Sequence, residues 1–223
     1  MPAEDSTRST IADRVARLHE DLAGQIPDAA AAFGAEQADL ATAGVPPGSA
    51  RPGDTLPDPE LLDVHGVSTT LEAARDDRPA VIVLYRGAWC PYCNLALRTY
   101  QQDLVPLLDD LGIVLIAISP QKPDGSMTMQ EKNELSFTVL SDPGNKVAAA
   151  LGVLTAPAED TPEAQRTIGI ARTELNGDRT TGLPMPTVAA VDAAGVISWI
   201  DIHPDYTTRT EVADIVWALA TLH

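Results

Sequence analysis

The chain holds two thiols, Cys90 and Cys93, in the stretch YRGAWCPYCNLALR, and no others among its 223 residues. A C-x-x-C pair can be half a metal site, a redox couple or a feature of packing. A tetrahedral zinc wants four ligands, usually as two close pairs. The second pair is missing from the sequence: His19, His65, His203 and His223 stand apart, with no ligand spacing between any two. They read as surface or turn residues, and neither a metal nor a cofactor is expected. Packing accounts for a single buried cysteine, but not for two at the end of an apolar strand, flanked by Trp89, Pro91 and Tyr92. The redox reading accounts for the placement. If a helix opens at Cys90, Pro91 takes its first position, where a missing N–H costs nothing. The free amides of that turn then aim about half a positive charge at the Cys90 sulfur. Such sites lower a thiol from about 8.5 into the range of roughly 3.5–7.5. Cys93 lies in the same turn, close enough to close a small disulfide ring. Arg86, four residues upstream of Cys90, either adds positive charge or forms a surface ion pair. A peroxide would turn the thiolate into sulfenic acid, which the second thiol would condense to a disulfide. A protein disulfide would instead exchange through a mixed disulfide.

The elements that must position this pair are legible in the hydrophobic pattern. AVIVLY, from Ala80, is a continuous β-branched run, as in a strand covered on both faces. It leads directly into the cysteines and then a helix, with Leu95, Leu97, Leu104, Leu107 and Leu108 available for a buried face and Pro106 set to bend or break it. Residues 112–119 and 137–142 read as further strands, and Met127–Leu135 and Gly144–Leu151 as helices. Residues 152–186 carry four prolines and little pattern, and read as an excursion. Val188–Val191 and Val196–Ile200 around Asp192–Gly195 read as a hairpin, and Thr210–Leu222 as a closing helix burying Val212, Ile215, Val216 and Leu219. Upstream, residues 9–24 have helical spacing, 28–43 suggest a second helix, and 46–60 hold five prolines and two glycines, the mark of an extended connector. A short hairpin turns at His65-Gly66, and Thr70–Arg75 suggests a helical turn. The expected fold class is α/β: a thioredoxin-like mixed sheet flanked by helices, with an N-terminal helical extension (1–45) before a main domain (52–223) that carries the excursion (152–183). The extension packs on its own domain or on a second copy, so a homodimer is an open expectation.

The net charge is −17. Such a surface repels phosphate backbones and anionic membranes, so neither nucleic acid nor membrane is an expected partner. The first ten residues lack the charged and apolar regions of a secretory signal, and the longest apolar runs fall far short of the ~20 residues of a membrane helix. The expected location is the cytoplasm, where a lone C-x-x-C is more often catalytic than structural.

The chain resembles the alkyl hydroperoxide reductase/thiol-specific antioxidant group of the peroxiredoxin superfamily, and is most similar to bacterial members with C-x-x-C. The resemblance covers roughly 52–152 and 184–221, through RPGDTLPDPELLDVHG, VIVLYRGAWCPYC, LGIVLIAISPQKPDGSMTMQEKNELSFTVLSDPGNKVAAALGV and VAAVDAAGVISWID. The family's P-x-x-x-T-x-x-C pattern lays its Pro on Arg86, its Thr on Cys90 and its attacking Cys on Cys93. Two of the three positions depart. The family's peroxide-binding Arg, just before the hairpin strand, has no counterpart in LPMPT; Met185-Pro186-Thr187 is instead similar to the cis-proline corner of thioredoxins. Helix-end electrostatics favour Cys90 as the attacking sulfur, while the resemblance favours Cys93, with Cys90 resolving and Arg86 replacing the missing charge; because the resemblance runs longer, Cys93 is the expected nucleophile. Tyr85, Trp89, Tyr92 and Pro186 would shape the substrate pocket, although core packing explains the aromatics equally. The resemblance implies a peroxidase for hydrogen peroxide or organic hydroperoxides, recycled by a thioredoxin-like or low-molecular-weight thiol reductant. A thiol–disulfide oxidoreductase using Cys90, and a slow redox sensor that meets a partner through its N-terminal helices, are the alternative readings.

Overall fold

The computed structural model describes residues 9–156 and 161–220. Thr10 opens α1 (Ile11–Gln25) with a capping box closed by Asp13, and the Glu211 carboxylate accepts from the Ile11 and Ala12 amides at 2.9 and 2.8 Å. An acid at that end meets the positive pole of the helix, so α1 is anchored to the far end of the chain. Pro27 begins α2 (Pro27–Ala43). The connector carries no regular element, and its Thr55 bridges Val196. The short hairpin is β1 (Leu61–Leu62) and β2 (Ser68–Thr69), followed by α3 (Leu71–Arg75).

The central strands are β3 (Ala80–Leu84), β4 (Val114–Ser119) and β5 (Thr138–Ser141), which run parallel, and β8 (Thr187–Val191) and β9 (Ile197–Ile202), which form the antiparallel hairpin. The sheet order is β2-β1-β5-β4-β3-β8-β9. Between these strands run α4 (Pro91–Thr99), α5 (Val105–Leu111), α6 (Pro123–Lys132) and α7 (Lys146–Ala150). Every residue of β3 is buried. Period-two alternation divides them between two cores: Val81, Val83 and Tyr85 join the cysteines and Leu97, while Ala80, Ile82 and Leu84 join Leu61, Leu140 and Val147. The active segment therefore leaves the middle of the sheet.

The described residues of 152–186 are more ordered than their composition suggests. They contain β6 (Leu154–Thr155), which pairs with β7 (Leu183–Pro184), together with α8 (Thr161–Thr167) and α9 (Arg172–Leu175). The order comes from tertiary partners: α8 packs on α2, and buried Arg172 meets buried Glu36 at 3.9 Å and donates to Gln165 and, at 3.2 Å, to the Thr181 carbonyl. The closing helix is α10 (Val212–Ala220).

Three sequence expectations shift. Leu95 is only partly buried, and Leu107 is 45% exposed, the latter because Tyr100–Leu104 forms a π-helical turn between α4 and α5. A π turn holds an extra residue and rotates the helix beyond it, and Pro106, with no N–H to give, sits just past that turn. Val216 faces solvent, while Ile215 and Leu219 are buried. Helix α6 begins at Pro123 rather than Met127, since proline suits a first helical position.

Candidate active site

The loop from β3 to α4 is held by its own backbone and two side-chain clamps. Gly87 has φ +148°, a conformation that residues with side chains rarely adopt. Gln121 accepts from the Ala88 amide, and Asn94 donates to the carbonyls of Ala88 and Cys90 at 2.7 and 2.8 Å. A Cβ on Gly87 would lie 2.5 Å from Trp89 Nε1 and 2.9 Å from Gln121 Oε1. Gly87→Ala is therefore expected to cost about 1–3 kcal/mol and to displace both side chains. Urea denaturation checks this, and an unchanged midpoint would count against it.

Cys90 is the N-cap of α4 and Pro91 its first residue, as the spacing predicted. The electrostatic outcome differs from the helix-end argument. Both sulfurs are buried, each residue 1% exposed. The Cys93 Sγ accepts from Arg209 Nη2 at 3.2 Å, while Cys90 Sγ is 4.0 Å from the same nitrogen. Burial alone would raise the Cys93 thiol, but the hydrogen bond from Cys90, the Arg209 charge, and the amide and guanidinium of Arg86 outweigh it and hold Cys93 well below the ordinary range. Burial pushes Cys90 the other way, and its bond to the Cys93 sulfur and the charge there push it further. Both shifts favour the negative charge on Cys93, with Cys90 as its hydrogen-bond donor. The helix terminus favours Cys90, but a full guanidinium charge at contact distance exceeds half a charge spread over several amides.

Sequence reasoning missed Arg209. It lies in the segment between β9 and α10, 116 residues beyond Cys93, and its own surroundings aim it. Its Nη1 donates to the carbonyls of Tyr206 and Thr208. The Tyr100 hydroxyl donates to the Thr210 carbonyl at 2.7 Å, Thr210 Oγ1 donates to Asp201 at 2.8 Å, and His203 lies 2.8 Å from the same carboxylate. Burial works against the Arg209 charge, but the two sulfurs outweigh it and raise its pKa. The only available signal was a lone arginine just ahead of the last helix.

Arg86 is not a surface ion-pair residue. It is buried, and its guanidinium lies 3.6 Å above the Tyr206 ring and 5.2 Å from Trp89, a cation–π arrangement that keeps a desolvated cation in place. The aromatic residues divide between two cavities. Tyr85 and Pro186 join Cys93 and Arg209 around a space of about 10 Å³. Trp89 and Tyr92 join Cys90 and Arg86 around one of about 320 Å³. Burial pushes the Tyr92 phenol up to about 12, and its oxygen is 3.0 Å from His19 Nδ1. The cis-proline corner is not found: no cis peptide bond occurs among the described residues. Through this corner the Met185 amide donates to the Val153 carbonyl and the Pro186 carbonyl accepts from the His203 amide. Among the described residues, no group of three or more His, Cys, Asp or Glu could hold a metal, and no helix is long and apolar enough to cross a membrane.

The family model for the AhpC/TSA family matches residues 52–200. The "Putative peroxiredoxin bcp" of Haemophilus influenzae is 38% identical over 104 residues, which cover 45% of this chain and 64% of that protein, so the match spans less than two thirds of the relative's length. Among solved structures, reduced Prx3 of Vibrio vulnificus in complex with hydrogen peroxide superposes with a TM-score of 0.61 at 18% identity, over 78% of this chain and 99% of that one. Peroxidoxin BcpB of Mycobacterium tuberculosis superposes with a TM-score of 0.56 at 23% identity, over 77% and 96%. At these identities the superpositions speak for the thioredoxin-like fold, and the match over 52–200 carries the kinship: the chain belongs to the AhpC/TSA family.

Proposed function

We propose that the protein is a thiol-dependent peroxidase in which Cys93 attacks the peroxide and Cys90 resolves the product. The observation that carries this is the Arg209 guanidinium 3.2 Å from Cys93 Sγ, on a sulfur already held as an anion. Arg209 answers the absence of an arginine before the hairpin strand, and the Cys90 thiol takes the place of the family's threonine hydroxyl as donor to the attacking sulfur. The Cys93 thiolate attacks one peroxide oxygen, the O–O bond breaks, and the departing alkoxide or hydroxide takes a proton to leave as alcohol or water. Cys93 is then a sulfenic acid. Its negative charge is gone, and with it part of what held the Cys90 proton, while burial still raises that thiol and Arg86 and Arg209 still favour its anion. Cys90 gives up its proton as it attacks the Cys93 sulfur, and the departing hydroxide takes a proton to leave as water, closing the disulfide. Arg86 assists both steps; Tyr85 and Pro186 bound the space beside Cys93, and Trp89 and Tyr92 the space beside Cys90.

The reading includes residues 1–45 as a helical extension on a 52–223 peroxidase domain, a cytoplasmic location and a thiol reductant that reopens the disulfide. The oxidoreductase alternative needs Cys90 as the low-pKa nucleophile, and the direction of its shift argues against that. Stopped-flow mixing of the reduced protein with hydrogen peroxide tests the proposal. Oxidation far faster than that of free cysteine, with one peroxide consumed and one disulfide formed per chain, is expected; a rate equal to that of free cysteine contradicts it.

A further inference from the structure

The two sulfurs face different spaces. Cys93, but not Cys90, lines the cavity of about 10 Å³, room for little more than one water-sized group. Cys90, but not Cys93, lines the cavity of about 320 Å³, at the small end of the range for ligand pockets. The walls of the larger space come from the two segments that the peroxidase reading leaves without a task. Leu22 and Ile26 come from α1 and its cap, Ala30 and Phe33 from α2, and Ile168 and Ile170 from the stretch after α8. The Glu36–Arg172 pair and the Gln37–Tyr206 bond at 3.3 Å hold the walls together. The lining is mostly apolar, and its polar side chains include Arg86, His19, Gln37 and Gln165.

We infer that this cavity is the binding site for the reductant, a low-molecular-weight thiol with an apolar or aromatic body. The inference rests on the peroxidase reading, whose product is the Cys90–Cys93 disulfide. In thiol–disulfide exchange the sulfur of lower pKa leaves faster. Cys93, with its anion held by Arg209 and Arg86, is the better leaving group, so the incoming thiolate attacks Cys90, the sulfur that faces the cavity. A thiolate RS⁻ forms a bond to Cys90 Sγ, the S–S bond breaks, and its electron pair departs with Cys93 as the thiolate. A second RS⁻ then attacks the R-bearing sulfur of the mixed disulfide. RSSR leaves, and Cys90 departs as a thiolate that takes a proton from solvent. Two thiols are oxidised and one disulfide is reduced. Arg86 draws the anionic head of the reductant to the base of the cavity, and the apolar walls hold its body. A protein thiol would have to reach a residue that is 1% exposed behind α1 and α2, whereas a small thiol enters with the walls in place.

The test uses full-length protein oxidised with diamide, so that the disulfide is available whether or not peroxide makes it. Reduction by benzyl mercaptan and by 2-mercaptoethanol is compared at equal thiolate concentration. The expected preference for benzyl mercaptan is about tenfold or more, the size that burial of an aromatic ring supplies. In Ala30→Phe and Ile168→Phe, which fill the cavity from two different walls, the preference should fall to within about threefold of unity. Equal rates in the wild type, or a preference that survives both fillings, overturn the assignment. So does a loss in Ala30→Phe of the preference for cumene hydroperoxide over hydrogen peroxide in the oxidation step, which would give the cavity to the peroxide's tail. A benzyl preference alongside slow oxidation by every peroxide would sink the peroxidase reading and leave the cavity assignment standing.

Discussion

Reduced Cys93→Ser protein is expected to consume hydrogen peroxide at least ~10³-fold more slowly than the wild type, since removal of a nucleophile costs this much or more. The remaining Cys90 has none of the features that make a thiol reactive: it is buried, and its thiol is pushed up by burial. Loss of the Cys93 charge relieves part of that, but Arg209 Nη2 lies 4.0 Å from Cys90 Sγ against 3.2 Å from Cys93 Sγ. Cys90→Ser should behave differently. Its Cys93 keeps Arg209, so it should react once with peroxide, gain one oxygen, and stop for want of a resolving thiol. Stopped flow, then intact mass, separates the two variants. Faster peroxide consumption by Cys93→Ser than by Cys90→Ser would reverse the assignment of roles.

Arg209→Gln should slow the oxidation step by about 10²–10³-fold, the usual cost of removing one donor from a developing oxyanion. Two effects combine. Without the guanidinium the Cys93 pKa rises, so less thiolate is present at neutral pH. The charge that would meet the departing oxygen is lost as well. The first effect has a definite sign: because Arg209 holds the pKa down, its removal moves the rise of rate with pH to higher pH, and raising the pH should recover part of the loss. Arg209→Lys should recover part of the rate, since it keeps a charge but not the planar fork that meets the sulfur and the two carbonyls together. A pH–rate profile for the three proteins measures this. Superimposable profiles would show that Arg209 only supports the loop.

Much of this arrangement was legible in the sequence. The strands β3, β4 and β8 are buried on both faces, so their apolar runs needed no partner to be recognised. The pairing of a helix start with Cys90-Pro91 came from the chemistry of proline. What stayed hidden depends on distant parts of the chain. Arg209 reaches Cys93 only because Tyr100, Asp201 and His203 fix the segment before α10, and no local pattern records that. The cavity beside Cys90 is built from α1, α2 and the stretch after α8, three segments whose shared purpose appears only when packed. The exposure of Leu107 results from a π turn that shifts the helical phase, which a periodicity of 3.6 cannot foresee. The helix terminus alone points to Cys90, whereas the guanidinium that favours Cys93 comes from a part of the chain no local pattern connects to it.

The most direct test of the central claim is the thiolate absorbance of the reduced protein near 240 nm, titrated from acid to alkaline pH in the wild type and both Cys→Ser variants. One thiolate per chain is predicted at neutral pH, present above the depressed Cys93 pKa and lost as pH falls through it. It should be absent at neutral pH in Cys93→Ser and retained in Cys90→Ser, whose hydroxyl still donates to the Cys93 sulfur. A wild-type protein with both thiols protonated at neutral pH, or a neutral-pH thiolate that survives Cys93→Ser and vanishes in Cys90→Ser, would contradict it.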